Sequence, residues 1–428
     1  MYILVFFYNL VMPLGFLFFL PGLLWKLWRR PGWKKTFGER FSIFSKARKV
    51  ELKNFQNGIW IHAVSVGESV IALALSRKLR ERYPDLPIVI STGTTTGQEL
   101  VRKQLPEGAA AIFCPMDFFW MVRRTLNLLA PRMLVIFETE IWPNLILQAH
   151  KRGIKTALVN ARLSDHSAKG YKRFKFFFAP LLEKFDVIAA QSAGDQERIL
   201  QVSPQAHAVN CGNLKFDQSV PADLQAVDLS EYFGSGEHLV LLGASTHPGE
   251  EAVIAESFLE LRKKFDSLRL VLVPRHAERG AEVMDTLKKL NISSCRRSNG
   301  ERSDGEIAAL IADTTGEMLK FMKASDIVIM GKSIAGHDEG HNLIEPALLK
   351  KAIVTGHRLR NFRFLMQVLT GKDAIKTVAA DAELTPVLSE LLQDEALRNE
   401  LGGKAFDAIS EHAGATLKTL DVLDKLLK

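Results

Sequence analysis

The sequence predicts an α/β protein made of two doubly wound domains behind an apolar N-terminal helix. Three observations predict it. Short apolar runs alternate with amphipathic stretches along most of the 428 residues, the pattern of a parallel sheet covered by helices on both faces. The alternation lapses once, in a polar segment with Pro221 and two glycines, and then restarts. The first 25 residues, Met1–Trp25, carry no charge at all.

Composition narrows the partners. Apolar residues make up 47% and charged residues 24% of the chain, values of a globular protein with sizeable cores. A net charge of +8 points to an acidic partner: nucleic acid, an anionic membrane or a phosphorylated substrate. Cys114, Cys211 and Cys295 stand far apart without a C-x-x-C pair, which argues against a zinc site or a disulfide framework and fits a reducing compartment.

The first element is residues 1–28, a membrane anchor. As a helix, Met1–Trp25 spans roughly 37 Å, enough to cross a bilayer even with Pro13, Gly15 and Pro21 bending its path. The basic start and small-residue cleavage site of a signal peptide are missing. Ten Lys and Arg against two acidic residues follow between Lys26 and Lys53, a bias that puts the body of the chain in the cytoplasm. Trp25, Trp28 and Trp33 suit the headgroup layer. An uncleaved anchor is expected, with a monotopic helix as the alternative.

Residues 29–218 form the first domain, with IWIHAV, PIVIST, AAIFCP, MLVIFE, TALVNA and DVIAAQ as its strands. Residues 219–237 read as a linker. Residues 238–428 form the second domain, with strands HLVLLGAS, LRLVLVPR, EIAALIAD, DIVIMG and KAIVTG. The C-terminal stretch reads as a helix that could pack back on the N-terminal domain. No short-period repeat appears. In such folds ligands bind beyond the carboxyl ends of the strands, and the cleft between two domains is the expected active site.

The strand ends therefore matter most. After the first strand comes HAVSVGES, His62–Ser69. Ser65-x-x-Glu68 ahead of an apolar run is a capping box, in which each side chain satisfies a backbone N–H at a helix start. Gly67 gives the turn its bare N–H groups, and Glu68 is either a cap or a catalytic carboxylate. STGTTTG (Ser91–Gly97), with Thr94 and Thr95, resembles a phosphate loop but lacks the Walker lysine, so a nucleoside triphosphatase is not supported. ETEIWPN (Glu138–Asn144) ends a buried-looking strand with Glu138 and Glu140. Carboxylates are rarely buried alone, and Arg162 in NARLS is a natural partner. KGYKRFKFFFAP (Lys169–Pro180) interleaves bases with aromatics; beside an anchor it suits an anionic lipid surface better than nucleic acid, or is simply an amphipathic helix.

The second domain carries a different set. GASTHPGEE puts Ser245, Thr246 and His247 at a helix start, an anion site. VPRHAER places Arg275, His276 and Arg279 after a strand, where a guanidinium fork can hold phosphate or carboxylate. DTTGEM, with Gly316 and Glu317, is another strand–turn–helix junction. GKSIAGHDEGHNLIEPALLKK joins a Gly-rich turn to His341, Asn342 and Glu345, and a carboxylate there can accept both hydroxyls of a ribose. His337 and His341 have metal-ligand spacing, but Gly336 and Gly340 disfavour a helix and no third His ligand is nearby; no metal is expected.

In this order the motifs resemble the 3-deoxy-D-manno-octulosonic acid (Kdo) transferases of lipopolysaccharide synthesis. The resemblance covers nearly the whole chain: the anchor, WIHAVSVGES, STGTTTG, ETEIWPN, NARLS, CGNLKFD, ASTHPGEE, PRHAER, DTTGE and GHNLIEPA. It implies a GT-B fold of two Rossmann-like domains, with donor CMP-Kdo on the C-terminal domain and a lipid A precursor on the N-terminal one. It also implies inverting transfer at the cytoplasmic face of the inner membrane, with no metal, no other cofactor and no nucleic acid. Residue by residue, the general base falls on Glu68, taking the proton of the acceptor hydroxyl. Ser245, Thr246 and Arg275 would offset charge on the CMP phosphate, with His276 beside them. Lys215 in CGNLKFD would add a cation at the domain junction. Glu345 would hold the ribose next to Asn342, and Gly316–Glu317 would meet the cytosine. Ser65, Gly67, Thr94, Thr95, Glu138, Glu140 and Arg162 would be acceptor-side or structural.

The family's GGHNPLEP stands here as EGHNLIEP, with Glu339 for a glycine and Leu343 for a proline. That leaves the contacts of His337 and His341 open. Two other readings fit part of the pattern: a membrane-associated GT-B transferase with another nucleotide sugar, and an anchored binding protein in which Glu68 is only a cap.

Overall fold

The computed structural model describes residues 2–28, 38–300 and 307–428. The basic run Arg29–Lys35 with Trp33, and the side chains of Trp25 and Trp28, lie outside that description. The chain divides into two compact units, Met1–Asp217 with Ala413–Lys428, and Gln218–His412.

The first unit is built on seven parallel strands: β1 (Ile59–Ala63), β2 (Ile88–Thr92), β3 (Ala109–Phe113), β4 (Met133–Phe137), β5 (Lys155–Ala161), β6 (Val187–Ala190) and β7 (Ala208–Asn210). Their order is β3-β2-β1-β4-β5-β6-β7. Ile59 of β1 lies opposite Ile88 of β2 and Met133 of β4. The strands read as unbroken apolar runs because helices cover both faces, and every residue of β1, β2 and β4 is buried. Alternate residues feed opposite layers: Trp60, Leu134, Ile136 and Leu158 on one side, Ile61, Val135, Phe137 and Val159 on the other. Strand order reverses at β1 and β4, the switch point where such sheets bind ligands.

The C-terminal helix Ala415–Leu427 belongs to this first unit. Ala415, Leu420, Leu423 and Leu427 join the layer of Ile61 and Val135. Arg82 pairs with Asp421 at 3.1 Å and also with Asp424, and Arg132 donates to the Leu427 carbonyl at 2.5 Å.

The second unit repeats the plan with β8 (Leu239–Thr246), β9 (Leu268–Pro274), β10 (Ser294–Arg296), β11 (Ala309–Ile311), β12 (Ile327–Met330), β13 (Ala352–Gly356) and β14 (Lys376–Val378). The order is β10-β11-β9-β8-β12-β13-β14, again all parallel. The segment 219–237 is folded onto this unit: Tyr232 and Phe233 are buried, and Arg297 donates to the Tyr232 hydroxyl at 2.8 Å. The sequence reading takes it for a linker because two buried aromatics in a polar run carry no periodicity. The edge strands β7, β10 and β14, three residues each, escape the sequence reading for the same reason.

The N-terminal helix Tyr2–Trp28 lies along the first unit. Tyr8 donates to Asp117 Oδ2 at 3.0 Å, Asn9 and Asn144 exchange amide bonds at 3.2 and 2.8 Å, and the Phe16 ring meets Phe118 edge-on at 5.4 Å. Phe6, Phe7, Leu10, Val11, Leu14 and Phe18 are exposed, Phe18 by 87%. Among the described residues no helix is long and apolar enough to cross a membrane.

Candidate active site

In the first unit the turn after β1 is organised by Ser65. Its hydroxyl caps helix Val66–Arg82 by accepting the Glu68 N–H at 3.2 Å. Glu68 completes the cap one residue earlier than a literal capping box predicts: Oε2 accepts from the Val64 N–H at 2.8 Å and Oε1 from the Ser65 hydroxyl at 2.7 Å. Glu68 is 7% exposed, whereas Val66 and Gly67 beside it are exposed. Thr94 caps helix Thr95–Gln104 and donates its N–H to the Val64 carbonyl at 3.2 Å. A Cβ at Gly97 would lie 2.9 Å from the Thr94 hydroxyl and 3.0 Å from that of Ser69, so the glycine eases the close approach of the two helix starts.

Glu138, just after β4, and Asn160, the last but one residue of β5, have φ of 55° and 53°, left-handed conformations that non-glycine residues hold at a cost and that cluster at functional sites. Lys215 binds Glu138 Oε1 at 2.9 Å. Its loop is pinned by the Leu214 N–H, which donates to Asn160 Oδ1 at 3.0 Å. Lys215 is thus seated in the first unit, against the ETE turn. Glu140 accepts the Trp142 ring N–H at 2.8 Å. Burial raises its pKa, with Glu68 and Glu138 adding to the rise. Thr95 and Arg162 are half-buried at their strand ends.

In the second unit Ser245 has φ of 55° at a register shift between β8 and β9. Thr246 is fully buried and its hydroxyl finds no hydrogen-bond partner among the described residues. Its carbonyl accepts the Arg275 N–H at 3.0 Å, which ties the end of β9 to that of β8. Arg275 and His276 are exposed. Glu251 and Glu282 hold Arg279 at 2.7 and 2.8 Å.

Glu250 is a feature the sequence did not single out. It is fully buried at the start of helix Glu250–Arg262. Oε2 accepts the N–H groups of His247 at 2.8 Å and Lys332 at 2.7 Å; Oε1 accepts those of Ser333 at 2.9 Å and Ile334 at 3.1 Å. The loop after β12 is thereby wrapped on the helix start. Gly331 is required there, because a Cβ would lie 2.4 Å from the Ser245 carbonyl oxygen. Lys332 is half-buried beside His247 and His341. The adjacent acids Glu250-Glu251 are the signal that could have found this arrangement.

The Gly-rich loop meets that cluster. The His247 and His341 Nε2 atoms are 3.0 Å apart, and His337 donates to the Pro248 carbonyl at 3.1 Å. Glu339 lies 4.0 Å from Lys332 and 3.8 Å from Arg360, which offset the charge that replaces the family's glycine. Asn342 Oδ1 accepts the Ile344 N–H at 3.2 Å. Burial raises the Glu345 carboxyl, and Arg275 opposes it. Glu317 is bound by Arg297 at 2.8 and 2.7 Å and by Thr314 at 2.6 Å, and the Arg297 bonds above all hold it at about 2. Gly316 has φ of 87°. No group of three or more His, Cys, Asp or Glu among the described residues is arranged to hold a metal ion.

Comparison with known proteins agrees with this layout. The family described as 3-deoxy-D-manno-octulosonic-acid transferase (kdotransferase) matches residues 35–218. The 3-deoxy-D-manno-octulosonic acid transferase of Haemophilus influenzae is 32% identical over 94% of this chain and 93% of its own length. That of Bordetella pertussis is 31% identical over 95% and 97%. A glycosyltransferase structure from Rickettsia africae superposes with TM-score 0.60 at 12% identity, covering 87% of this chain and 99% of that one. The S. aureus MnaA–UDP structure gives 0.58 at 14%, covering 87% and 97%. At those identities the structures share the fold, an α/β GT-B-like fold with two parallel seven-stranded sheets. By its motifs, its strand-end chemistry and its relatives along nearly the full length, the chain belongs to the 3-deoxy-D-manno-octulosonic acid transferase family.

Proposed function

We propose that the chain transfers Kdo from CMP-Kdo to a lipid A precursor in lipopolysaccharide synthesis, with inversion. The observation that carries the reading is a pair of features, one at the strand ends of each unit. An immobilised carboxylate, Glu68, follows β1. A cationic cluster with an unpartnered hydroxyl, Arg275, Lys332 and Thr246, follows β8, β9 and β12. The acceptor hydroxyl attacks the anomeric carbon of Kdo and gives its proton to Glu68. The bond from that carbon to the phosphate oxygen breaks, its electron pair stays on the phosphate, and CMP leaves. Ser245, Thr246 and Arg275 offset the charge that builds there. One displacement inverts the anomeric carbon and needs no covalent intermediate.

The test supplies purified protein with a lipid A precursor and either CMP-Kdo or a UDP-sugar. Transfer from CMP-Kdo alone is expected. Transfer from the UDP-sugar instead would replace the donor assignment, and binding without transfer would leave Glu68 a cap.

The chain works at the cytoplasmic face of the inner membrane. What supports this is the N-terminal helix, tied to Asp117 and Asn144 along one face and apolar along the other. A helix fixed in that way lies in the headgroup boundary rather than across the bilayer. Exposed Phe174 and Phe176 among the bases of Lys169–Pro180 extend the same kind of surface. Replacing Phe7 and Leu14 by Glu should reduce flotation with anionic vesicles about tenfold or more, since it removes two exposed apolar side chains that would enter the lipid. Unchanged flotation would remove the helix from membrane binding.

A further inference from the structure

One group in the second unit has no task in the mechanism above. The His247 and His341 rings face each other with centroids 5.2 Å apart and Nε2 atoms at 3.0 Å. At that distance one nitrogen carries a hydrogen and the other accepts it, so the neutral pair holds a single bridging proton. His276 and His337 flank it, their ring centroids 6.3 and 5.7 Å from that of His247. The charged groups around the pair are Lys332, Arg275 and Arg279, opposed by Glu339, by Glu250 on the His247 N–H and by Glu251 on Arg279. The buried, unpartnered hydroxyl of Thr246 belongs to the residue before His247. Burial first, and then the neighbouring cations, hold both imidazoles at about 4, so the surroundings keep the pair uncharged at neutral pH.

We propose that the His247–His341 pair is the proton donor to the leaving phosphate. The negative phosphodiester of the donor arrives against the pair and by itself reverses the field there. The pair then takes one proton from solvent. When the bond from the anomeric carbon to the phosphate oxygen breaks, the electron pair remains on that oxygen and the imidazolium hydrogen moves to it. CMP leaves as the monoanion and the neutral, hydrogen-bonded pair is restored. Glu68 receives the hydroxyl proton separately, so one group takes a proton and another gives one.

This rests on the second unit holding the nucleotide donor, and the experiment separates the two claims. The probe is the methyl ester of CMP, a phosphodiester that cannot itself gain a proton near neutrality. Its binding to the full chain is measured calorimetrically at pH 7 in buffers of different ionisation enthalpy, with EDTA present throughout. The dependence of the heat on the buffer counts the protons taken up. Wild type is expected to take up about one proton per ester bound. His247→Gln and His341→Gln are expected to lose the uptake and the basic limb of the kcat profile, which reports the donor complex, while His337→Gln keeps the uptake. Binding without proton uptake in wild type would overturn the proposal and leave the donor site standing, whatever the folding of the variants. No binding of the ester would remove the donor site and the proposal together.

Discussion

Glu68 and Glu250 hold matching places in the two sheets. Each sits in the first turn of the helix that follows the first strand of its unit, β1 or β8, beside the point where strand order reverses. Their surroundings differ. An ionised carboxylate offers about four acceptor positions. In Glu250 four backbone N–H groups fill them, and the residue is fully buried. In Glu68 one N–H and one hydroxyl fill two, next to an exposed Val66–Gly67 edge. The fold puts a carboxylate at both places, and the donors around them saturate Glu250 while leaving Glu68 with acceptor capacity to spare.

The comparison breaks most clearly at Glu250. Glu250→Ala strands four buried N–H groups and should destabilise the protein by about 4 kcal/mol in denaturant unfolding, whereas Glu68→Ala should cost about 1 kcal/mol. Equal costs would erase the distinction. Next in size is Lys215→Met, which leaves Glu138 without its cation at the ETE turn. Losing a charge-assisted bond of about 1.5 kcal/mol predicts a turnover near one tenth of wild type, partly restored by Lys215→Arg. Wild-type turnover in Lys215→Met would confine the pair to structure. Ser65→Ala removes the cap and one tether of Glu68; a loss of about 1 kcal/mol with a few-fold drop in turnover is expected.

The smallest effect is a pH dependence in the first unit. Asp117 caps helix Pro143–Lys151 through the Asn144 and Leu145 N–H groups at 2.9 and 2.8 Å and accepts the Tyr8 hydroxyl. Burial outweighs these bonds and raises its pKa to about 7. The folded state thus holds the proton that the unfolded state has lost above about 4. Stability from this group is full below that value and falls as pH rises through about 7. Asp117→Asn, which cannot ionise, should flatten that fall in unfolding measurements between pH 5 and 8, and an unchanged slope would assign it to other groups.

Much of this was legible in the chain itself. Continuous apolar runs such as Met133–Phe137 give the strands away because both faces of the sheet are covered. The motifs lie at the strand ends because that is where this architecture gathers ligand-facing residues. What stayed hidden are partnerships between distant segments. Lys215 and Glu138 are 77 residues apart, and Glu250 meets Lys332 across 82. Sheet order brings them together: β8 lies beside β12, and β4 beside β5. No local pattern reports that. The donors of Glu68 were misplaced by one residue, since Ser65-x-x-Glu68 points to the Ser65 N–H while the turn presents that of Val64.

The most direct test of the account is Glu68→Gln, which keeps the size of the side chain and one acceptor oxygen but cannot take the proton. Turnover of CMP-Kdo with a lipid A precursor, per folded molecule, should fall by about 100-fold or more, while unfolding free energy changes by about 1 kcal/mol or less. Turnover within a few-fold of wild type would contradict the account and return Glu68 to the role of a helix cap.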